Sequence, residues 1–346
     1  MSRSNTIAFP SELSASRSPA SRIGLRVTDT GRRFIRQRAL PWSILSGGAL
    51  LALLDPGVTT SFAWLPFLVS LFIFGMPHGA MDWMVQNRLD GVDGFINRTI
   101  AFIPYLGLMA FSSVLLIVFP IFTVSAFMVL TTLHFGTADL LATGHGDESP
   151  FRRSLFIFGR GCLILGPAFA FHTQSAWEPF GVLVGMGAAS DSSIAVVSSV
   201  STLLLSAGVL LALVHVVLTW QTSPRVALLD LIESSLILIL SAIASPLFAI
   251  GLYFVSTHAY RHSIRLASDS MLDDEKSTLS LPRRVLRMHF RSLSLLIPTF
   301  VILPTWCFFQ FGTVTPFLLV TVTIGFFIIS TLPHHLLGLR LSSYDP

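Results

Sequence analysis

Ten of the 346 residues are histidine, and seven of these, His78, His134, His215, His258, His262, His334 and His335, lie in or at the ends of apolar runs. An imidazole inside a bilayer is costly unless a partner, a cavity or a metal ion receives it. His258 and His262, in HAYRH, stand four residues apart. That spacing puts both rings on one helix face about 6 Å apart and suits two ligands on one ion. A single such pair also serves in interhelical hydrogen bonds or at a solvated helix end, whereas several histidines at one depth favour a metal. Two further segments share a theme, GMPHGAMDW at 75–83 and TLHFGTADL at 132–140, each with histidine, then glycine, then aspartate. Asp82 and Asp139 are carboxylates placed to accept the second N–H of a ligand imidazole, which fixes its tautomer and raises its basicity. Asp82 would alternatively cap or end its helix. Gly79 and Gly136 leave room for a backbone or an elongated ligand to come close.

Other chemistries find no support. The chain has no Ser-His-Asp or Cys-His arrangement, P-loop or GxGxxG segment, so hydrolytic, phosphoryl and nucleotide chemistry are not indicated. Cys162 and Cys307 are far apart, in apolar segments without CxxC spacing, and read as small buried hydrophobes.

The elements that must position the histidines are membrane helices. The chain is 52% hydrophobic and 12% charged, against about 25% charged in soluble domains. Ten apolar runs approach spanning length: 39–54, 58–76, 99–119, 121–141, 154–171, 196–219, 227–244, 246–262, 292–311 and 314–338. Tight hairpins at Asp55-Pro56, Pro120, Ser245-Pro246 and Gly312 with Pro316 separate several of them. This predicts an all-α polytopic membrane protein of about eight to ten helices, eight if two hairpins are re-entrant, with both termini cytoplasmic. The cations agree with that orientation. Inner segments hold Arg88, Arg98, Arg152, Arg153, Arg225, Arg265, Lys276, Arg283, Arg284, Arg287, Arg291 and Arg340; outer ones hold Asp55, Glu178 and Asp191 without a cation. In this layout all seven histidines sit on helices running outside to inside, in the cytoplasmic half of the bilayer. Residues 1–38 carry eight arginines against Glu12 and Asp29. They read as a disordered basic tail beside anionic lipid rather than a secretory signal, since the first apolar run begins near Leu40. Residues 39–340 read as one membrane domain. The basic residues lie beside spans and imply no nucleic acid.

PHGAMD, LHFGTAD, HAYRH and the final PHH, in this order on a chain of this size, resemble the Brp/Blh family of membrane β-carotene 15,15'-dioxygenases, over about residues 40–340. The resemblance implies one non-haem Fe(II) held by His78, His134, His258 and His262, with Asp82 and Asp139 orienting imidazoles. His334 and His335 would be supporting groups or an interface feature. It also implies an inner-membrane enzyme that uses O2 to cut β-carotene centrally into two retinal molecules. A tunnel entered from lipid and walled by Phe and Leu would bind the polyene, and an opsin would figure only as a consumer of retinal. Two rival readings stay open. A membrane di-iron desaturase or hydroxylase would need about eight histidines with HxxHH clusters and two irons per chain. A carotenoid or retinal carrier or transporter would use intramembrane Asp139, Asp230 and Glu233 as a polar pathway.

Overall fold

The computed structural model describes residues 35–185, 191–268 and 279–342. Nearly all of the basic tail, and Lys276, lie outside the described residues. The chain divides into two units, Met1–Leu40 and Pro41–Pro346. A π-helical stretch, Ile35–Ala39, is described in the first; everything below concerns the second.

Every regular element described is helical: α1 (Leu40–Leu54), α2 (Pro56–Ser61), α3 (Leu65–Phe72), α4 (Gly75–Ala80), α5 (Asp82–Leu89), α6 (Phe95–Val118), α7 (Pro120–Thr143), α8 (Pro150–Phe171), α9 (Thr173–Leu183), α10 (Asp191–Trp220), α11 (Pro224–Ile243), α12 (Pro246–Tyr253), a π-helical segment Phe254–Ala259, α13 (Tyr260–Ser268), α14 (Leu281–Leu295), α15 (Ile297–Phe311) and α16 (Pro316–Ser342). Proline opens α2, α7, α8, α11, α12 and α16, where its fixed φ suits the helix and its missing N–H costs nothing. Left-handed glycines close α7 (Gly144, φ 89°) and α15 (Gly312, φ 71°).

Among the described residues, seven helical stretches are long and apolar enough to cross a membrane, and an eighth if α14 and α15, bent by 51°, count as one span. Counted with the bent pair, these spans fall at the lower end of the expected eight to ten. Helix α1 has 15 residues, about 22 Å at the helical rise, short of a hydrocarbon core of about 30 Å. The run 246–262 is helical as far as Ser268, but it holds a π turn and buried Arg261 and His258. The run 58–76 is broken into α2, α3 and α4, and the span it marks is shifted to Leu65–Leu89.

Helix α8 is the most deeply packed of the candidate spans. Its contact with α7 is backbone to backbone: a Cβ on Gly136 would collide with the Ile157 carbonyl, and one on Gly161 with the Thr132 carbonyl. Small residues substitute for the missing hydrophobic drive between membrane helices by allowing this close approach. It fixes the part of α7 that carries His134.

Candidate metal centre

The first histidine is placed by a broken helix. Ile73 is extended and Phe74 has φ 57°, so the chain leaves α3 and re-enters helix at Gly75. Gly75 packs on Ser70 so closely that any Cβ would overlap it. A non-glycine residue with positive φ costs about 1–3 kcal/mol and tends to be kept where function needs it. Here the turn aims the Phe74 carbonyl at His78, whose Nδ1 donates to it at 2.9 Å. His78 Nε2 is thereby left as the lone-pair nitrogen.

The other rings close around it. His78 lies 5.5 Å from His258, 5.1 Å from His262 and 5.2 Å from His334, between ring centroids. His134, on α7, lies 4.8 Å from His258, 5.0 Å from His334 and 5.5 Å from His335. The four predicted ligands therefore share one buried cluster. The Nε2 atoms of His134 and His258 face each other at 3.2 Å, as do the Nδ1 atoms of His134 and His335 at 3.3 Å. His258 is the penultimate residue of the π-helical segment and His262 follows on α13; a π turn inside an α-helix re-aims side chains and is frequent at functional sites.

His334, expected only as a supporting group, is a member of the cluster, at 5.4 Å from His262 as well. Asp82 accepts from His334 Nδ1 at 2.7 Å and from the Tyr105 hydroxyl at 2.6 Å. Its carboxylate thus orients an imidazole brought by the last helix rather than its sequence neighbour His78. The expectation for Asp139 is corrected. Its carboxylate accepts from Arg261 at 2.7 Å and from the Tyr253 hydroxyl at 3.0 Å, with Arg160 at 3.7 Å. Glu233 completes this network with a two-pronged pair to Arg261 at 2.8 and 2.9 Å, a 3.4 Å contact to Arg160 and a bond from Trp42 Nε1. Asp139 and Glu233 are thus ion-paired in a buried staple joining α7, α8, α11 and α13.

His215 is not in the cluster. It lies on α10 beside His145 and Glu148, which belong to the connection between α7 and α8. Burial disfavours the charged ring of His145, but Asp230 and Glu148 outweigh it and hold the imidazole above its ordinary pKa. Burial likewise opposes ionisation of Glu148, yet bonds from His215 and His145 keep its carboxyl below the usual range. His145 had drawn no attention in the sequence because it lies outside the apolar runs; its spacing to Glu148 in HGDE was the available signal.

The donor set suits a metal ion. Ligands about 2.1 Å from one ion stand roughly 3 Å apart, as the facing nitrogens of His134 and His258 do. His258 Nδ1 and His334 Nε2 are buried without a hydrogen-bond partner. In His334 the orphaned nitrogen lies across the ring from a carboxylate, the arrangement that second-sphere carboxylates give to metal-bound histidine.

His78, His134, His258 and His334 line a cavity of about 510 Å³ whose remaining wall is largely aromatic and aliphatic, including Phe67, Trp83, Phe102, Phe135, Phe254 and Phe327. Gly79 also lines it, and a Cβ there would meet no atom within 4 Å. Gly79 thus faces open space, whereas Gly136 serves helix packing.

Comparison with known proteins identifies the family. The chain is 28% identical over 245 residues to the probable β-carotene 15,15'-dioxygenase Blh of Halobacterium salinarum, covering 66% of this chain and 68% of that protein. No solved structure matches it. The family described as β-carotene 15,15'-dioxygenase matches residues 69–342, a stretch that contains every histidine of the cluster, and the chain belongs to that family.

Proposed function

We propose that this multi-pass membrane protein is an inner-membrane iron(II) dioxygenase that cuts the central double bond of β-carotene to give two molecules of retinal, with β-carotene and O2 as substrates. The observation that carries the reading is a buried all-imidazole cluster on the wall of an apolar cavity. His78, His134, His258 and His262 are the ligands carried over from the family motifs, and His334 stands within the same donor set. Iron(II) bound there would supply the redox chemistry with O2 for which an all-nitrogen set with open positions is suited.

The chain's own residues do the rest. Phe74 and Asp82 fix the tautomers of His78 and His334, so that the remaining nitrogens carry lone pairs. The aromatic walls hold a hydrocarbon and exclude water. Gly79 leaves the wall open next to His78. A polyene offers no charge to grip, so the bond cut is the one the walls set beside the histidines. Regiochemistry is a matter of distance rather than electrostatics. Any opsin stands downstream, as a consumer of retinal.

The test is expression in cells that accumulate β-carotene, followed by chromatography of the extracted pigments. Loss of carotene with retinal as the sole carbonyl product is expected. Unequal apocarotenals would keep an oxygenase and overturn central cleavage. Intact carotene with added Fe(II), together with purified protein free of metal, would replace the reading with a carrier.

A further inference from the structure

We propose that His145, Glu148 and His215 form a second metal site, separate from the histidine cluster and suited to a divalent first-row ion of the zinc type. Their ligand atoms all lie within 4.8 Å of one another. Glu148 stands between the two rings: Oε1 is 3.0 Å from His145 Nδ1 and Oε2 is 3.0 Å from His215 Nε2. Donors bound at about 2.1 Å to one ion have edges of about 3 to 3.4 Å. Two imidazoles and one carboxylate are a common protein donor set for zinc and for its redox-active neighbours, with a further position left open.

The surroundings are built as around a ligand group. His145 Nε2, on the far side of the ring from Glu148, lies 2.9 Å from Asp230 Oδ2, the carboxylate–histidine–metal order that orients a ligand ring. The His145 and His215 side chains are 3% and 2% exposed and Glu148 15%. Phe156 packs against both rings, at 4.6 and 5.1 Å. Facing the site from α8, Arg152 lies 3.3 Å from Glu148 and donates to Thr219 at 2.9 Å; Thr219, on α10, lies 3.5 Å from His215 Nε2. None of the three ligands lines the large cavity. The ion would therefore act as a staple tying the α7–α8 connection to α10, with Asp230 bringing in α11. Metal-ligand bonds would replace packing at a polar place in the bundle.

The test loads full-length protein in detergent with Zn(II), removes free metal by gel filtration and counts zinc per chain by mass spectrometry. Glu148→Gln and His215→Ala are each expected to lower retained zinc by one equivalent and to abolish part of the zinc-dependent rise in unfolding temperature. His134→Ala addresses the other cluster. A loss with Glu148→Gln that persists in the His134→Ala background supports the second site even if the first holds no metal. Unchanged zinc in both Glu148→Gln and His215→Ala would overturn it. Where His215→Ala fails to accumulate, Co(II) difference spectra of wild type against Glu148→Gln decide: intense visible bands lost with the glutamate support the site, and identical spectra refute it.

Discussion

Segments 75–83 and 132–140 carry the same order of residues, histidine, glycine and aspartate, yet their carboxylates end in opposite settings. Asp82 meets an imidazole and a phenol at the edge of the cavity. Asp139 meets two guanidinium groups and a phenol, away from every imidazole with which it was expected to pair. The spacing explains much of the contrast. On the unbroken α7, five residues turn the side chain by about 140° from His134, toward α8 and α13. Around His78 the chain is interrupted between α4 and α5, and the four-residue spacing brings Asp82 under His334 of α16 instead of under His78. One aspartate therefore holds a ring of the histidine cluster, while the other ties together the helices that carry it.

That contrast can be broken at several points. The largest effect is expected from His134→Ala, which should abolish iron binding and retinal formation while the protein still reaches the membrane; full activity in this variant would sink the ligand assignment. Next comes Asp139→Asn. Removing one partner of a buried ion pair costs about 3–5 kcal/mol, so the variant should accumulate poorly and unfold at lower temperature, and an undiminished melting temperature would contradict the stapling role. Asp82→Asn should show the reverse pattern, with near-normal accumulation but iron affinity lower by about 10–100-fold, measured by chelator competition. Equal losses of stability in Asp82→Asn and Asp139→Asn would erase the distinction. The smallest effect belongs to Tyr105→Phe, which removes one hydrogen bond to Asp82, worth about 0.5–1.5 kcal/mol. A severalfold loss of iron affinity without loss of protein is expected, and an effect as large as that of Asp82→Asn would assign Tyr105 a part of its own.

Some of this architecture is legible without coordinates. Runs of apolar residues mark α6, α7, α8, α10, α11 and α16, because a bilayer demands about 20 apolar residues wherever a helix crosses. The runs whose bounds moved or that fell short are those where local chemistry overrides hydropathy. Residues 58–76 break at Phe74, whose backbone turns the chain so that a carbonyl faces His78, and 246–262 bury Arg261 within the staple. Arg261 sits inside HAYRH, between the two histidines, and its link to Glu233 and Asp139 could not be read from a motif that draws attention to its ends.

The histidines show where the boundary falls. Order along the chain and hydropathy give each residue a depth in the bilayer, and depth selected His78, His134, His215, His258, His262, His334 and His335 for one layer. Depth is a single coordinate, however, and the angle around the bundle is set by which helix faces pack together. Tertiary structure alone placed His334 within the cluster and His215 with His145 and Glu148. It also gave Asp82 to His334 and Asp139 to Arg261. Amino-acid type and spacing determine which side chains must find a polar partner in the membrane; helix packing, fixed by close contacts such as those of Gly136 and Gly161, decides which partner each one finds.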